Sequence, residues 1–523
     1  MATEDTATPH TTPAETWERL RDGGLVLCLG LAAVVHARAF MDYAFEDAYI
    51  TFRYASNLAR GHGFVFNPGE WVLGTSTPLW TLLLATLGWL GFDIPTAATW
   101  IYSLSASVAG GLGALLLRRC GHANAGVLFG LAAAWGLGSG SMYCGMETAL
   151  YLALILGSLL AAERQRVVAT GVLLGLTCLT RYDGGVVAMA VGFHLWWVRG
   201  RPPWREAMIA SMLVVPWLLF ALWTFGSVLP NTLGAKAGDS DFLRYVAKTV
   251  HLLALDSTRP VADLLPTSGL PIRGARVLVA LVAAAPAVAL ARTVGRRAPI
   301  LVLCPGVAVA LLVGYGLIGP PVEHRWYHVP TFQLGLLFGL AAWSHLWARR
   351  PGWTRGWPQR AMLVLIALTL WALPGAIDRR GDAYLETQGR IRAYDQFIDW
   401  IVSNGLTDTS ILTREPGYIT YHTGQRAIDA AGLVTEGIYF HGPEQRRTDL
   451  LALVEQHRPD FLVRPRMPTP ELLRHYVPVV EVPRVRILLM RRDLHRLHSS
   501  GPGLIFEDGF EGGDTGYWTT PGR

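Results

Sequence analysis

Charge is scarce in this chain. Of its 523 residues only 16% are Asp, Glu, Lys or Arg, where an ordinary soluble domain carries about 25%. Cysteine is scarcer still, and Cys28, Cys120, Cys144, Cys178 and Cys304 are scattered with no CxxC pair. That spacing excludes a disulfide or zinc framework. No glycine-rich loop of the nucleotide-binding kind, no internal repeat and no heptad run is present. A formal net charge of +6 would suit a nucleic-acid partner, but no basic groove with interleaved aromatics accompanies it, so nucleic acid is not expected. A cleavable signal is also missing. The first apolar stretch follows Arg19 and Arg21 but has no small-residue cleavage site after Arg38, which predicts a retained helix.

What the chain has instead is apolar length. Hydrophobic residues make up 51%, and a spanning helix needs about 20 mostly apolar residues. Candidate spans are Gly23–Phe40, Ala97–Leu117, Ala123–Gly138, Thr148–Ala162, Val167–Thr180, Gly184–Val198, Ala207–Phe225, Ala275–Ala291, Pro299–Ile318, Val329–Trp347 and Met362–Leu373. Basic clusters fall between them at Arg118-Arg119, Arg164 and Arg166, Arg199 to Arg205, Arg292 to Arg297 and Arg349 to Arg360. With every cluster in the cytoplasm, the segments between pair into hairpins whose tips face outward. Thr77 to Leu90 does not fit, because a full crossing there would put Arg118-Arg119 outside; it is either a re-entrant helix or an exception to the rule. The fold class expected is an α-helical polytopic membrane protein of about 11–12 helices.

Beyond Leu373 the pattern becomes soluble. Tyr384–Val402 reads as an amphipathic helix and Arg447–His457 as another. Ser410–Thr413, Gly417–His422, Phe461–Val463, Val477–Val482 and Val485–Met490 read as short strands of a small α/β domain. The expected organisation is a cytoplasmic segment at 1–22, a multi-pass domain at 23–376 with its first outer loop at 41–76, an extracytoplasmic α/β domain at 377–498 and a loose tail at 499–523.

The outward hairpin tips hold most of the ionisable residues at membrane depth: Glu46-Asp47, Glu147, Arg181-Tyr182-Asp183, Asn231 through Lys236, and Glu323-His324-Arg325. Such groups cost roughly 2.5–3.5 kcal/mol each on insertion scales, so several on one face mark a site. Each also has a structural explanation. Glu46 and Asp47 suit the first turn of a helix that Gly61 would end. Glu147 and Asp183 suit neutralising partners of Arg181 or Lys236, and His324 suits a hydrogen-bonded interface position. Asp429 and His422 in the α/β domain are read as fixing a turn.

The run from Glu46 through Trp80, with Gly63-Phe64-Val65-Phe66-Asn67-Pro68-Gly69-Glu70 and Pro78-Leu79-Trp80, resembles the first outer loop of bacterial GT-C membrane glycosyltransferases. Gly145-Met146-Glu147-Thr148, Arg181-Tyr182-Asp183-Gly184, and Leu229-Pro230-Asn231-Thr232 with Ala235-Lys236 follow in order. Gly417 to Tyr421 and Ile428 to Leu433 extend the likeness to the outer domain. The mycobacterial terminal arabinofuranosyltransferase group is the most similar. The chain departs from it with Glu46 in place of an aspartate, Tyr182 in place of a proline, and Thr75-Ser76-Thr77 where an aromatic is usual. These departures bear on the sugar and acceptor more than on the reaction class.

The resemblance implies transfer of a sugar from a polyprenyl-phosphate donor to an extracytoplasmic glycan, lipid or protein acceptor at the inner membrane. Asp47 matches the family's catalytic acidic position, with Glu46 beside it. Donor-phosphate and substrate-binding candidates are Arg53, Arg181, Asp183, Lys236, Asn231, Glu147, His324 and Arg325. Among the cations Arg325 and Arg181 rank above Lys236, because a guanidinium fork matches phosphate. No protein metal ligand and no cofactor is assigned, and a divalent metal is left open. The alternatives are a transporter or flippase of a lipid-linked saccharide, or a non-catalytic envelope assembly factor.

Overall fold

The computed structural model describes residues 13–41, 45–134, 143–232, 298–318, 325–348, 381–435, 445–464, 469–482 and 486–498. Ala275–Ala291 and Met362–Leu373, expected to span, lie outside them. In chain order the membrane half comprises α1 (Pro13–Ala39), α2 (Glu46–Ala59), α3 (Pro78–Trp89), α4 (Ile94–Arg119), α5 (Ala123–Ala134), α6 (Thr148–Glu163), α7 (Val167–Thr180), α8 (Gly184–Arg199), α9 (Trp204–Phe225), α10 (Pro299–Ile318) and α11 (Val329–Ala348). The C-terminal half comprises α12 (Gly381–Ser403), β1 (Ser410–Thr413), α13 (Gly417–Thr423), β2 (Arg426–Asp429), α14 (Gln445–His457), β3 (Phe461–Arg464), α15 (Pro470–Leu473), β4 (Tyr476–Val482), β5 (Arg486–Arg491) and α16 (Arg492–His498).

Among the described residues, three helices are long and apolar enough to cross a membrane by length and composition: Leu20–Ala39 of α1, α4 and α9. With 22 residues, α9 extends about 33 Å, just over a bilayer core of about 30 Å. Its side chains are mostly uncovered, Trp223 being 87% exposed. A helix apolar on its exposed side is stable only against lipid. By contrast α6 is covered along nearly its whole length, Tyr151, Ile155, Leu156 and Leu159 being fully buried in the core it shares with α4, α10 and α11.

The ambiguous segment 77–90 becomes α3, which has 12 residues. At about 18 Å it is too short to cross. The ends of α1 and α4 agree: Asp22, early in α1, pairs with Arg118 at the end of α4, and Ser107 donates to the Leu29 carbonyl at 2.9 Å. The two helices therefore run antiparallel with no crossing between them, and Arg118 stays on the side where α1 begins.

The C-terminal half is a five-stranded sheet in the order β2-β1-β3-β5-β4. β2, β1 and β3 are parallel, whereas β5 runs antiparallel to β3 and β4. One face, carrying Ile411, Phe461, Val463 and Leu488, packs on Tyr394, Phe397 and Ile401 of α12 and on Ile419 of α13. The other, carrying Leu412, Leu462 and Ile487, packs on Leu453 and Val454 of α14. Two expectations are corrected here. Gly417–Thr423 is a helix, not a strand, entered from Pro416 and closed by Gly424 at φ 76°. Arg426–Asp429, not anticipated as a strand, is β2.

Candidate active site

α2 sits where the two halves meet. Three of its faces do three things. Phe45, Ala48, Tyr49 and Phe52, with Met41, Pro95, Thr99, Cys144, Gly145, Tyr418 and His422, line a cleft of about 240 Å³. Glu46 and Arg53 point at the C-terminal domain. Asp47 and Thr51, one turn apart, share the third face, and there the Thr51 hydroxyl lies 3.4 Å from both Thr75 and Thr77, themselves 3.1 Å apart. Thr51, Thr75 and Thr77 thus form a buried hydroxyl group on the face of α2 that carries Asp47.

Glu46 and Asp47 lie in the first turn of α2, as expected, and Glu46 is not its N-cap. Its N-cap is Phe45, which makes no side-chain cap bond. Instead a Glu46 carboxylate oxygen accepts the backbone N–H of Gly417. Gly417 is required: a Cβ there would lie 2.5 Å from the Glu46 carbonyl oxygen. Burial, then the charges of Asp47 and Glu415, raise the half-buried Glu46 carboxyl well above its usual range. Glu415 in turn accepts from Arg390 (2.8 Å), the Tyr394 hydroxyl (2.5 Å) and Arg486 (3.3 Å). Asp429, fully buried, accepts the N–H groups of Ala431 (2.7 Å), Leu433 (2.7 Å) and Val434 (3.2 Å), which is the turn-fixing role expected of it. Burial still pushes Asp429 up to about 6, and Asp47 adds to that rise. Burial lowers His422 at the cleft wall.

Arg53 has a different place from the one expected. Its buried guanidinium donates to the carbonyls of Phe66 (2.9 Å), Thr420, Gly424 (3.3 Å) and Gln425 (2.7 Å). It is a strut between α2 and the C-terminal domain, with its donors spent on backbone rather than turned to a phosphate.

Glu147, Arg181 and Asp183 do come together. Arg181 donates to Glu147 at 2.9 Å, to Asp183 at 3.0 Å and to the Tyr315 hydroxyl at 3.1 Å, and Tyr315 donates to Asp183. The guanidinium lies 4.7 Å from the Tyr327 ring and 5.3 Å from the Tyr151 ring. All three of its nitrogens therefore donate within the protein, to two carboxylates and a hydroxyl that together balance its charge. The tyrosines were not foreseen, because nothing distinguishes Tyr151 and Tyr315 from other aromatics in apolar helices. Asn231 donates its backbone N–H to the Leu73 carbonyl at 2.8 Å, tying its loop to the segment between α2 and α3. Lys236 and His324 lie outside the described residues, as does the side chain of Arg325, whose backbone opens a 3-10 turn (Arg325–Tyr327) before α11. Among the described residues no group of His, Cys, Asp or Glu is arranged to hold a metal ion.

This architecture has solved counterparts. The crystal structure of ArnT from Cupriavidus metallidurans bound to undecaprenyl phosphate is similar over 89% of this chain and 98% of its own, with a TM-score of 0.54 at 15% identity. Its apo state gives 0.52 at 13% identity over 89% and 97%. The apo Archaeoglobus fulgidus oligosaccharyltransferase gives 0.51 at 11% identity over 84% of this chain and 69% of its own. The chain therefore has the fold of GT-C membrane glycosyltransferases, an apolar helical half with a small C-terminal sheet domain. A family model described as a domain of unknown function, DUF8728, matches residues 382–499. No curated protein matches the chain.

Proposed function

We propose that the chain is a membrane glycosyltransferase that moves a sugar from a polyprenyl-phosphate donor to an acceptor outside the cytoplasm. The observation that carries this reading is the position of Asp47. It stands in the first turn of α2, beside a buried hydroxyl group and at the seam of the two halves, in a fold shared with a protein crystallised with undecaprenyl phosphate. Asp47 serves as general base for the acceptor hydroxyl, a role typically worth 10²–10⁴-fold in rate.

The departing lipid phosphate already carries charge, so it calls for cations rather than an acid. With Arg53 and Arg181 committed inside the protein, that role passes to Lys236, His324 and Arg325. Arabinose as the sugar is supported by the sequence resemblance alone. The test is turnover of a polyprenyl-phosphate sugar by the purified full-length protein in nanodiscs, with copurified lipid identified by mass spectrometry. Released polyprenyl phosphate and a glycosylated acceptor are expected; a protein that binds and moves the lipid-linked sugar across the bilayer without cleaving it would overturn the reading.

A further inference from the structure

The C-terminal sheet contains a feature the transfer chemistry does not use. After β1 the chain enters α13, on the same face of the sheet as α12, and reaches β2 on one side of β1. After β2 it enters α14, on the opposite face, and reaches β3 on the other side of β1. In the order β2-β1-β3 the chain leaves β1 toward β2, away from β3, so the carboxyl ends of β1 and β3 adjoin at a topological switch point, the place where open parallel sheets bind ligands.

Two arginines stand there. Leu412 and Leu462 are register partners, so Arg414 and Arg464, two positions on, are neighbours across the strand ends. Arg414 is exposed, and among the described residues it has no acidic partner. Arg464 is half-buried, and its Nε is covered and donates to nothing. Burial, then the charge of Arg414, lowers the Arg464 guanidinium. The nearest carboxylate in sequence, Glu415, is occupied by Arg390, Arg486 and Tyr394. Two adjacent guanidinium groups, one with a desolvated and unused donor, are unfavourable unless an anion completes them.

We propose that Arg414 and Arg464 form a binding site for an oxyanion, phosphate or carboxylate, carried by the acceptor. Gly417, which touches Glu46, follows Arg414 by three residues, so at most about 11 Å of chain separates these strand ends from the head of α2. An acceptor held here by its anionic group would present a hydroxyl toward Asp47. That the ligand is an acceptor rests on the transferase reading; the oxyanion site itself does not.

The experiment measures uptake of radiolabelled inorganic phosphate by the full-length protein in phosphatidylcholine nanodiscs. Arg414→Gln and Arg464→Gln should each weaken uptake by about tenfold or more, and Arg464→Lys should restore part of it by returning charge without the fork. Asp47→Asn should bind phosphate like the native protein while losing transfer, so the site and the transferase reading fail separately. Arg414 is exposed, so its replacement leaves the core intact and keeps the test valid should an Arg464 variant fold poorly. Phosphate uptake indifferent to both arginines would overturn the proposal. Phosphatidylglycerol in the nanodisc that suppressed the arginine-dependent uptake would also overturn it, by assigning the site to a lipid headgroup; undiminished uptake supports the acceptor.

Discussion

Two groups of ionisable side chains share one end of this molecule and are built on opposite plans. Around Arg181 the charges are balanced: one guanidinium between two carboxylates, three tyrosines closing around it, and every guanidinium nitrogen bonded. At the head of α2 like charges crowd: burial, then the charges of Asp47 and Glu415, raise Glu46, and burial with a contribution from Asp47 raises Asp429. A balanced cluster holds helices in place and has little left to offer a substrate. A crowded one, with Glu46 and Asp429 disposed to hold protons around the head of α2, is the kind of arrangement found at functional sites. Composition alone would rank the two equally.

The sharpest way to break this contrast is Asp47→Asn. Transfer should fall about 10²–10⁴-fold with thermal melting nearly unchanged; native turnover by the purified variant would remove Asp47 as the base. Next is Arg181→Gln, which leaves Glu147 and Asp183 facing each other with no cation. Removing one partner of a buried pair costs about 3–5 kcal/mol, so melting in detergent should drop strongly. A variant that melts normally but fails to bind polyprenyl phosphate would return Arg181 to the substrate.

A smaller effect follows from pH. Burial pushes the native Asp429 carboxyl up to about 6, from an ordinary value of 3.8. Its contribution to stability is fully present below about pH 4 and is lost as pH rises through about 6, amounting to about 3 kcal/mol at most. Melting should therefore decline over that interval relative to Asp429→Asn, which lacks the proton, and parallel curves for the two proteins would contradict the assignment. Glu46→Gln should have the least effect, below about tenfold on rate. An amide stands in for a protonated carboxyl and can still accept the Gly417 N–H, so a loss as large as that of Asp47→Asn would mean the two share the base.

Much of the helical scaffold was legible because apolar runs end at charged residues: α7 begins after Arg166 and stops at Arg181 as expected. β1 was read residue for residue. Gly417–Thr423 was misread because Tyr418, Ile419, Thr420 and Tyr421 are good strand formers, yet packing of Ile419 under the sheet and of the tyrosines on Tyr49 overrides that preference. β2 was missed because four residues carry too little pattern. Of the site, the acidic pair on α2 could be read directly. The Arg53 strut could not, since its carbonyl partners on the C-terminal domain lie 367 to 372 residues further along, and backbone acceptors leave no mark in a sequence. Glu415 was hidden for the same reason of distance, and Asp429, read as fixing a turn, gave no sign in the sequence that it lies near α2.

β2 is an edge strand, and side chains close its open side, Thr435 on the Asp429 N–H and Asn67 on Ala427. Asn67 accepts the Ala427 N–H at 2.9 Å and donates to the Ala427 carbonyl at 2.8 Å, while Glu70 pairs with Arg426 at 2.6 Å. Residue 67 leaves the ribosome 360 residues before its partner. During biogenesis the loop between α2 and α3 must wait, already in place, for the C-terminal domain to arrive and close on it like a clasp. Made without that loop, the C-terminal domain would carry a bare strand edge, and edges of that kind recruit other chains. Truncation or domain-swapping at the membrane boundary should therefore show itself first as self-association of the sheet domain, before any change in chemistry could be measured.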